Sequence, residues 1–271
     1  MQYQIYIPPP RLQPYVECFW SLELPDFPGD TVPERVLPDG TTELIVHYGD
    51  QFERMNEKGL FEKQALGLFV GQMKTFTLLR PSGKTGMVAV RFKPAGAARF
   101  FGFSLSEITN RILDLDLVLG AEGKSLVDWV LNCQTNSDRV QVLLDFLLEK
   151  LTSRSDDLLL RATVKFIEEA KGGLDLFVLE KRIGLSSRQI ERKFKEKVGI
   201  SPMALARVVR FQRFLSLAKE CPNMNLTDAS MECGYYDQSH FIKDFRAFAG
   251  VSPSSFLEEK HPISDFFTSD Q

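Results

Sequence analysis

The chain repeats part of itself. IERKFKEKVGISPMAL, residues 190–205, aligns without a gap with FIKDFRAFAGVSPSSF, residues 241–256, at an offset of 51. Phe194 matches Phe245, Gly199 matches Gly250, and Ser201-Pro202 matches Ser252-Pro253. Just upstream, GLSSRQI (184–190) corresponds to GYYDQSHF (234–241), with one extra residue in the second copy. Two copies are too few for a solenoid, which needs roughly three or more stacked repeats. They predict two similar helical units.

Each copy has a short helix, a turn opened by glycine, and a second helix that starts at a capping residue, which is the helix-turn-helix layout. The capping candidates are Ser186 or Ser187 in the first copy and Asp237 in the second. On the first copy's second helix, Ile190, Phe194 and Val198 fall on one stripe and face the core. That turns Ser187, Arg188, Glu191, Arg192 and Lys195 outward. The second copy buries Phe241 and Phe245 and exposes Gln238, Ser239, Ile242, Lys243 and Arg246.

Net charge is only -3 for 271 residues, so the sum does not point to nucleic acid, but the distribution does. From Lys181 to Lys219 there are eleven Lys and Arg against two Glu, a net of +9. A helix with Arg and Lys on one face fits the DNA major groove, where Arg bonds guanine bidentately and Gln does the same for adenine. From Glu220 to His261 seven acids face three bases, a net of -4, which predicts a weaker phosphate grip for the second copy.

The rest of the chain has a different texture. Residues 1 to about 100 look β-rich. VLPDGTTELIVHY has a Pro-Asp-Gly turn before an alternating run, a hairpin signal, and TGMVAVRFKP is a strand closed by Pro94. SLSEITNRILDLD, KSLVDWVLNC and SDRVQVLLDFLLEKL have helical spacing, SLSE with a capping-box pattern. The polar TSRSDD (152–157) places a boundary between a domain over 1–152 and one over 157–260. The expected fold class is α+β: a β-rich N-terminal domain with following helices, then an all-α domain with two helix-turn-helix units joined by a long helix over about 202–219. Cys18, Cys133, Cys221 and Cys233 form no CxxC pair and suit free thiols in a reducing cytoplasm. No stretch approaches a transmembrane length of roughly 18 apolar residues.

The C-terminal half resembles the AraC/XylS family of bacterial transcription regulators. GLSSRQIERKFKEKVGISP looks like the family's first recognition helix and following turn. GYYDQSHFIKDFRAFAGVSPSSF is very similar to its second signature. The resemblance implies two units that enter successive major grooves on one face of double-stranded DNA. It leaves a small-molecule effector, a homodimer and RNA polymerase open as further partners. Glu180 and Ser230 stand where the family packs a small residue, and Glu191 takes an outward position more often neutral there. PYVECFW, LPDGTTELIVHYGD and VRFKPAGAARFFGFSLSEITNRILDLD resemble the uncharacterised N-terminal domain of one branch of the family. In many members the N-terminal domain senses a small molecule or dimerises.

GYYDQSHF also holds Asp237, Ser239 and His240 together, the residue types of a nucleophilic triad. Triad partners must converge from separate elements, which three near-consecutive residues cannot do. The bland assignment has Asp237 capping a helix, Gln238 and Ser239 on its exposed first turn, and His240 packed beside Phe241 and Phe245. No catalytic residues, metal site or cofactor are expected, because His47, His240 and His261 lack ligand spacing. Arg91 and Lys93 either line an anion pocket or point outward on an edge strand, the second being favoured. Trp20, Phe19 and Tyr15 are expected in the core. Two rivals to a regulator are a small-molecule-modifying enzyme in residues 1–150 with a DNA-anchoring C-terminal half, and a protein-interaction adaptor.

Overall fold

A computed structural model describes residues 1–26, 32–151, 156–221 and 224–259. Ten strands form in chain order: β1 (Gln2–Tyr6), β2 (Val16–Glu23), β3 (Glu34–Val36), β4 (Thr42–His47), β5 (Phe52–Met55), β6 (Phe61–Lys63), β7 (Gly67–Val70), β8 (Thr77–Pro81), β9 (Gly86–Phe92) and β10 (Ile112–Asp114). They make two antiparallel sheets, a large one in the order β1-β2-β9-β4-β7-β10 and a small one in the order β3-β8-β5-β6. Helices α1 (Leu115–Leu119), α2 (Ala121–Leu131) and α3 (Asn136–Leu151) follow.

The large sheet is the middle of three layers. Side chains alternate across a strand, and β4 divides them cleanly. Leu44 and Val46 join Leu126 and Val130 of α2 and Leu143 and Leu147 of α3 in one core. On the opposite face, Trp20, Leu22, Met87 and Ala89 pack with Phe52 of β5 and, at the margin, Ile45 and Leu79. Every residue of β9 is buried, because the strand is central and covered on both faces.

The C-terminal part contains α4 (Leu158–Glu169), α5 (Leu176–Ile183), α6 (Ser187–Lys197), α7 (Pro202–Glu220), α8 (Leu226–Glu232), α9 (Gln238–Ala249) and α10 (Pro253–Glu258). The two expected units are present, α5–α6 and α8–α9, with α7 as the expected long helix between them. Their cores are separate. Ile190, Phe194 and Val198 pack with α4 and with Leu205 and Ala206 at the start of α7. Phe241, Phe245 and Phe248 pack with Val208, Phe211, Phe214 and Leu215 further along it. The repeat extends to the caps. Ser201 and Ser252 each accept a bond from the backbone three residues on, Ala204 N and Ser255 N, both at 3.2 Å.

Three local expectations are corrected. VLPDGTTELIVHY is not a hairpin: β3 pairs β8 in the small sheet and β4 pairs β9 and β7 in the large one. The Pro-Asp-Gly turn instead carries the chain between sheets, with Asp39 Oδ1 accepting from Thr41 N at 3.0 Å. SLSEITNRILDLD is not one helix. It makes a 3-10 turn at Leu105–Ile108 and then β10, which adds to the edge of β7. Asn110, at φ 60, stops any helix there. Arg91 does not point outward from an edge strand but lies buried on central β9. Lys93, just past the strand, is exposed. Trp20, Phe19 and Tyr15 are in the core as expected. Of the proposed 152–157 boundary, residues 152–155 lie outside the described residues.

Candidate nucleic-acid interface

The start of α6 is fixed by side chains on both sides of it. Gly184 ends α5 in the left-handed region at φ 72, a conformation glycine adopts without strain. Ser186 is the cap, and both its N–H and its hydroxyl donate to Gln189 Oε1 at 3.0 Å. Glu180, where the family's pattern has a small residue, accepts from Ser187 N and Ser187 Oγ. Those two bonds hold its carboxyl below the usual range. Glu180 thus satisfies a first-turn donor of α6 from the preceding helix.

Ile190 and Phe194 are buried, and Arg188, Glu191, Arg192 and Lys195 are exposed, as the spacing predicts. Ser187, predicted outward, is half-buried and bonded to Glu180. Lys195 Nζ lies 3.0 Å from Glu191 Oε1, so the carboxylate is offset within its own helix. Lys193 is turned away, bonded at 2.8 Å to Asp157, the cap of α4. An open groove of about 660 Å³ runs along Arg188, Glu191, Arg192 and Lys195. Its far wall is Ser104 and Ser106 of the N-terminal part, residues that sequence periodicity gave no reason to place there.

The second helix starts as expected, with Asp237 Oδ1 accepting from His240 N at 2.7 Å. Gln238, Ser239, Lys243 and Arg246 are exposed. Ile242, predicted outward, is half-buried and packs on the second core, because on the helix circumference it lies next to buried Phe245. His240 differs too. Its ring lies edge-on to Tyr235, centroids 5.4 Å apart, and Nε2 is 3.7 Å from Asp244 Oδ2. Tyr236, unremarked in the sequence, stands 86 % exposed one residue before the cap.

The charge tally changes meaning in three dimensions. Asp244 is only 3 % exposed and receives Arg207 Nε at 3.1 Å and Nη2 at 2.8 Å. Arg210 lies over the Tyr235 ring at 5.3 Å, and Arg213 is 3.7 Å from Glu232. Three arginines of the basic zone therefore hold the second unit to α7. Glu259 pairs with Arg35. The acidic count overstates what the second unit presents to a ligand, and the basic count overstates the first.

The N-terminal part holds a small cavity between its two sheets, about 80 Å³, lined by Trp20, Leu37, His47, Met73 and Arg91 among others. Arg91 Nε is 2.9 Å from Glu43 Oε1 and Nη2 is 3.7 Å from Asp39 Oδ2. Trp20 Nε1 donates to Glu43 Oε1 at 3.0 Å. Burial alone would lower the Arg91 pKa. Glu43, Asp39 and Glu17 more than offset that, so it is raised and the guanidinium stays charged. Burial pushes His47 down to about 4 and Cys18 up to about 12. Both are therefore neutral near pH 7. Cys18, Cys133, Cys221 and Cys233 are all free. Among the described residues no cluster of metal-ligating side chains occurs, and no helix is long and apolar enough to cross a membrane.

Comparison with known proteins finds separate matches in the N-terminal and C-terminal parts of the chain. Residues 4–114 match a family described as a domain of unknown function, DUF6597. Residues 179–259 match a family described as a helix-turn-helix domain. The HTH-type transcriptional regulator MtrA of Neisseria gonorrhoeae is 32% identical over 75 residues, which are 28% of this chain and 25% of that protein. The chain thus spans about a quarter of that relative's length. ToxT of Vibrio cholerae is similar over 95% of this chain and 98% of its own, at 14% identity and a TM-score of 0.46. ToxT bound to (E)-4-(8-methylnaphthalen-1-yl)but-3-enoic acid gives 95%, 99%, 12% and 0.45.

Proposed function

We propose that this chain, whose C-terminal region is an AraC-type helix-turn-helix domain, is a sequence-specific transcription regulator that places α6 and α9 in successive major grooves of double-stranded DNA. The carrying observation is the pair itself: two capped helices, 51 residues apart in sequence, on one connecting helix, each with a polar exposed face. Base and phosphate contacts fall to Arg188, Glu191, Arg192 and Lys195 of α6 and to Gln238, Ser239, Lys243 and Arg246 of α9. Ser187 and Ile242 take part only at the margin, since one is bonded to Glu180 and the other packs inward. Arg192 is taken as a base reader, because it is central on α6, exposed, and in no ion pair among the described residues.

Residues 1–152 form the regulatory domain on this proposal, and residues 157–260 the DNA-binding one. The cavity between the sheets is the effector site, suited to a small, mostly apolar molecule with one polar end near Arg91 and Glu43. Its walls include Leu37, Met73 and Thr77, in segments that also lean on the second unit, which gives occupancy a route to α9. A regulator of this kind works beside the chromosome in the cytoplasm and with RNA polymerase, alone or as a homodimer.

Selection of fragments from a random double-stranded pool with the full chain tests the proposal. The expected product is a site of two short motifs about one helical turn apart. Recovery of no motif at all would remove it. The rival of an enzyme in residues 1–150 draws on the ionisable groups of the same cavity, where Arg91 is ion-paired to Glu43 and burial keeps His47 neutral.

A further inference from the structure

The equivalent glycines of the two repeats, Gly199 and Gly250, both end their recognition-helix segments at positive φ, 93° and 76°. Both also press on the N-terminal part. A side chain at Gly199 would meet Leu105 O and Thr109 Oγ1 at 3.0 and 3.1 Å. One at Gly250 would meet the Phe76 ring at 2.3 Å. Hydrogen bonds reinforce each contact. Thr109 Oγ1 donates to Gly199 O at 2.6 Å, and Phe76 N donates to Phe248 O at 2.8 Å.

The two docking segments are tied to one another. Asn110 N donates to Gln72 O at 2.9 Å, and Lys74 N donates to Asn110 Oδ1 at 2.7 Å. Gln72, fully buried, in turn donates from Nε2 to Gly40 O. Gly40 rides on α7 where the cores of the two units meet: a side chain there would touch Leu205 of the first core and Val208 of the second, at 3.1 and 3.6 Å. Beside it, Gln212 Nε2 donates to Pro38 O at 2.6 Å.

We infer that segments 38–40, 72–76 and 105–110 form one bracket, joined through Gln72 and Asn110, that sets the relative pose of α6 and α9. Within the C-terminal part the units are joined by α7, and a single helix of 19 residues can bend or twist along its length. Three ties, one on each unit and one at the seam, remove that freedom. Thr109, Phe76, Gln72 and Asn110 are on this account positioning residues. They touch no DNA, yet fix the spacing between the two motifs it must carry. The inference rests on the proposed two-groove binding.

The test is the same fragment selection with the full chain, using a pool in which the distance between the two motifs varies. Thr109→Val removes the bond to Gly199, and Phe76→Ala opens the face of Gly250. Asn110→Gly removes the side-chain bond of the tie, Lys74 N to Asn110 Oδ1, while keeping a backbone that glycine adopts freely at φ 60. Val140→Ala, on α3 and outside the three bracket segments, controls for lost stability. The expected result is one dominant spacing for the wild type and for Val140→Ala. For each bracket variant the share of fragments at that spacing falls several-fold, while both motifs stay the same. Bracket variants that fold, by circular dichroism, and keep the wild-type spacing would overturn the inference alone. A wild type that selects no paired motif would overturn the two-groove binding and the bracket together.

Discussion

Asp244 and Arg207 form a two-pronged ion pair, 2.8 and 3.1 Å, that bonds the second recognition helix to the helix joining both units. The carboxylate is buried, while about two-fifths of the arginine side chain meets water. The hydrogen bonds to Asp244 raise the Arg207 pKa above its already high ordinary value. Removing Arg207 leaves a buried negative charge beside His240, whose Nε2 lies 3.7 Å from Asp244 Oδ2. Arg207→Ala is expected to cost about 2 kcal/mol of unfolding free energy, below the full range for a buried pair because solvent already screens one side. Urea titration of both singles and of Arg207→Ala/Asp244→Ala measures it. The double variant should be less destabilised than the sum of the singles.

Arg192→Ala should weaken specific DNA binding by roughly 1–3 kcal/mol and relax preference at one base position. Lys243→Ala should weaken binding less and lower affinity evenly across sequences. Fluorescence anisotropy on the selected site and on single-base variants separates the two effects. A larger loss at Lys243 than at Arg192 would refute the ranking.

Glu191 faces the same groove as Arg192 and holds Lys195 at 3.0 Å. Glu191→Gln removes a charge that repels phosphate and frees Lys195 to meet one. Nonspecific DNA affinity should rise, and its dependence on salt should steepen by about one phosphate contact. Titrations at several salt concentrations provide the slope.

His47 couples stability to pH. Its folded pKa, about 4, lies below the ordinary histidine value of about 6.5 because burial disfavours the charged ring. The unfolded chain therefore takes up a proton first as pH falls. Stability is full above about 6.5, declines between about 6.5 and 4, and levels off below. Between pH 7 and 5 the loss attributable to this ring is about 2 kcal/mol. Denaturant midpoints at the two pH values, for the wild type and His47→Asn, test it; the variant should lack that component.

The helical half was legible because its signals are local. Caps such as Asp237, glycines such as Gly184 and stripes such as Ile190–Phe194 depend on neighbours within two turns. What was not legible depends on distant partners. The capping pattern of SLSE gave way because β7 had an open edge for Ile112–Asp114, and no window around residue 104 contains that strand. The burial of Arg91 is hidden from local sequence for a related reason: strand order, which puts β9 at the centre, is a property of the whole sheet. Net charge located the basic helix but could not separate arginines that face solvent from those, like Arg207 and Arg210, that bind the two units together.

Leu37 comes from the β-rich part of the chain, yet it is 6 % exposed within the core of the second helix-turn-helix unit. The division between the protein's halves therefore cuts through a shared core. A fragment begun at residue 156 would carry an uncovered apolar hollow where Leu37 sits, next to the surface meant for DNA. Anyone cutting this protein into pieces should expect the C-terminal piece to seek a substitute for that one side chain, in another copy of itself if nothing else is offered.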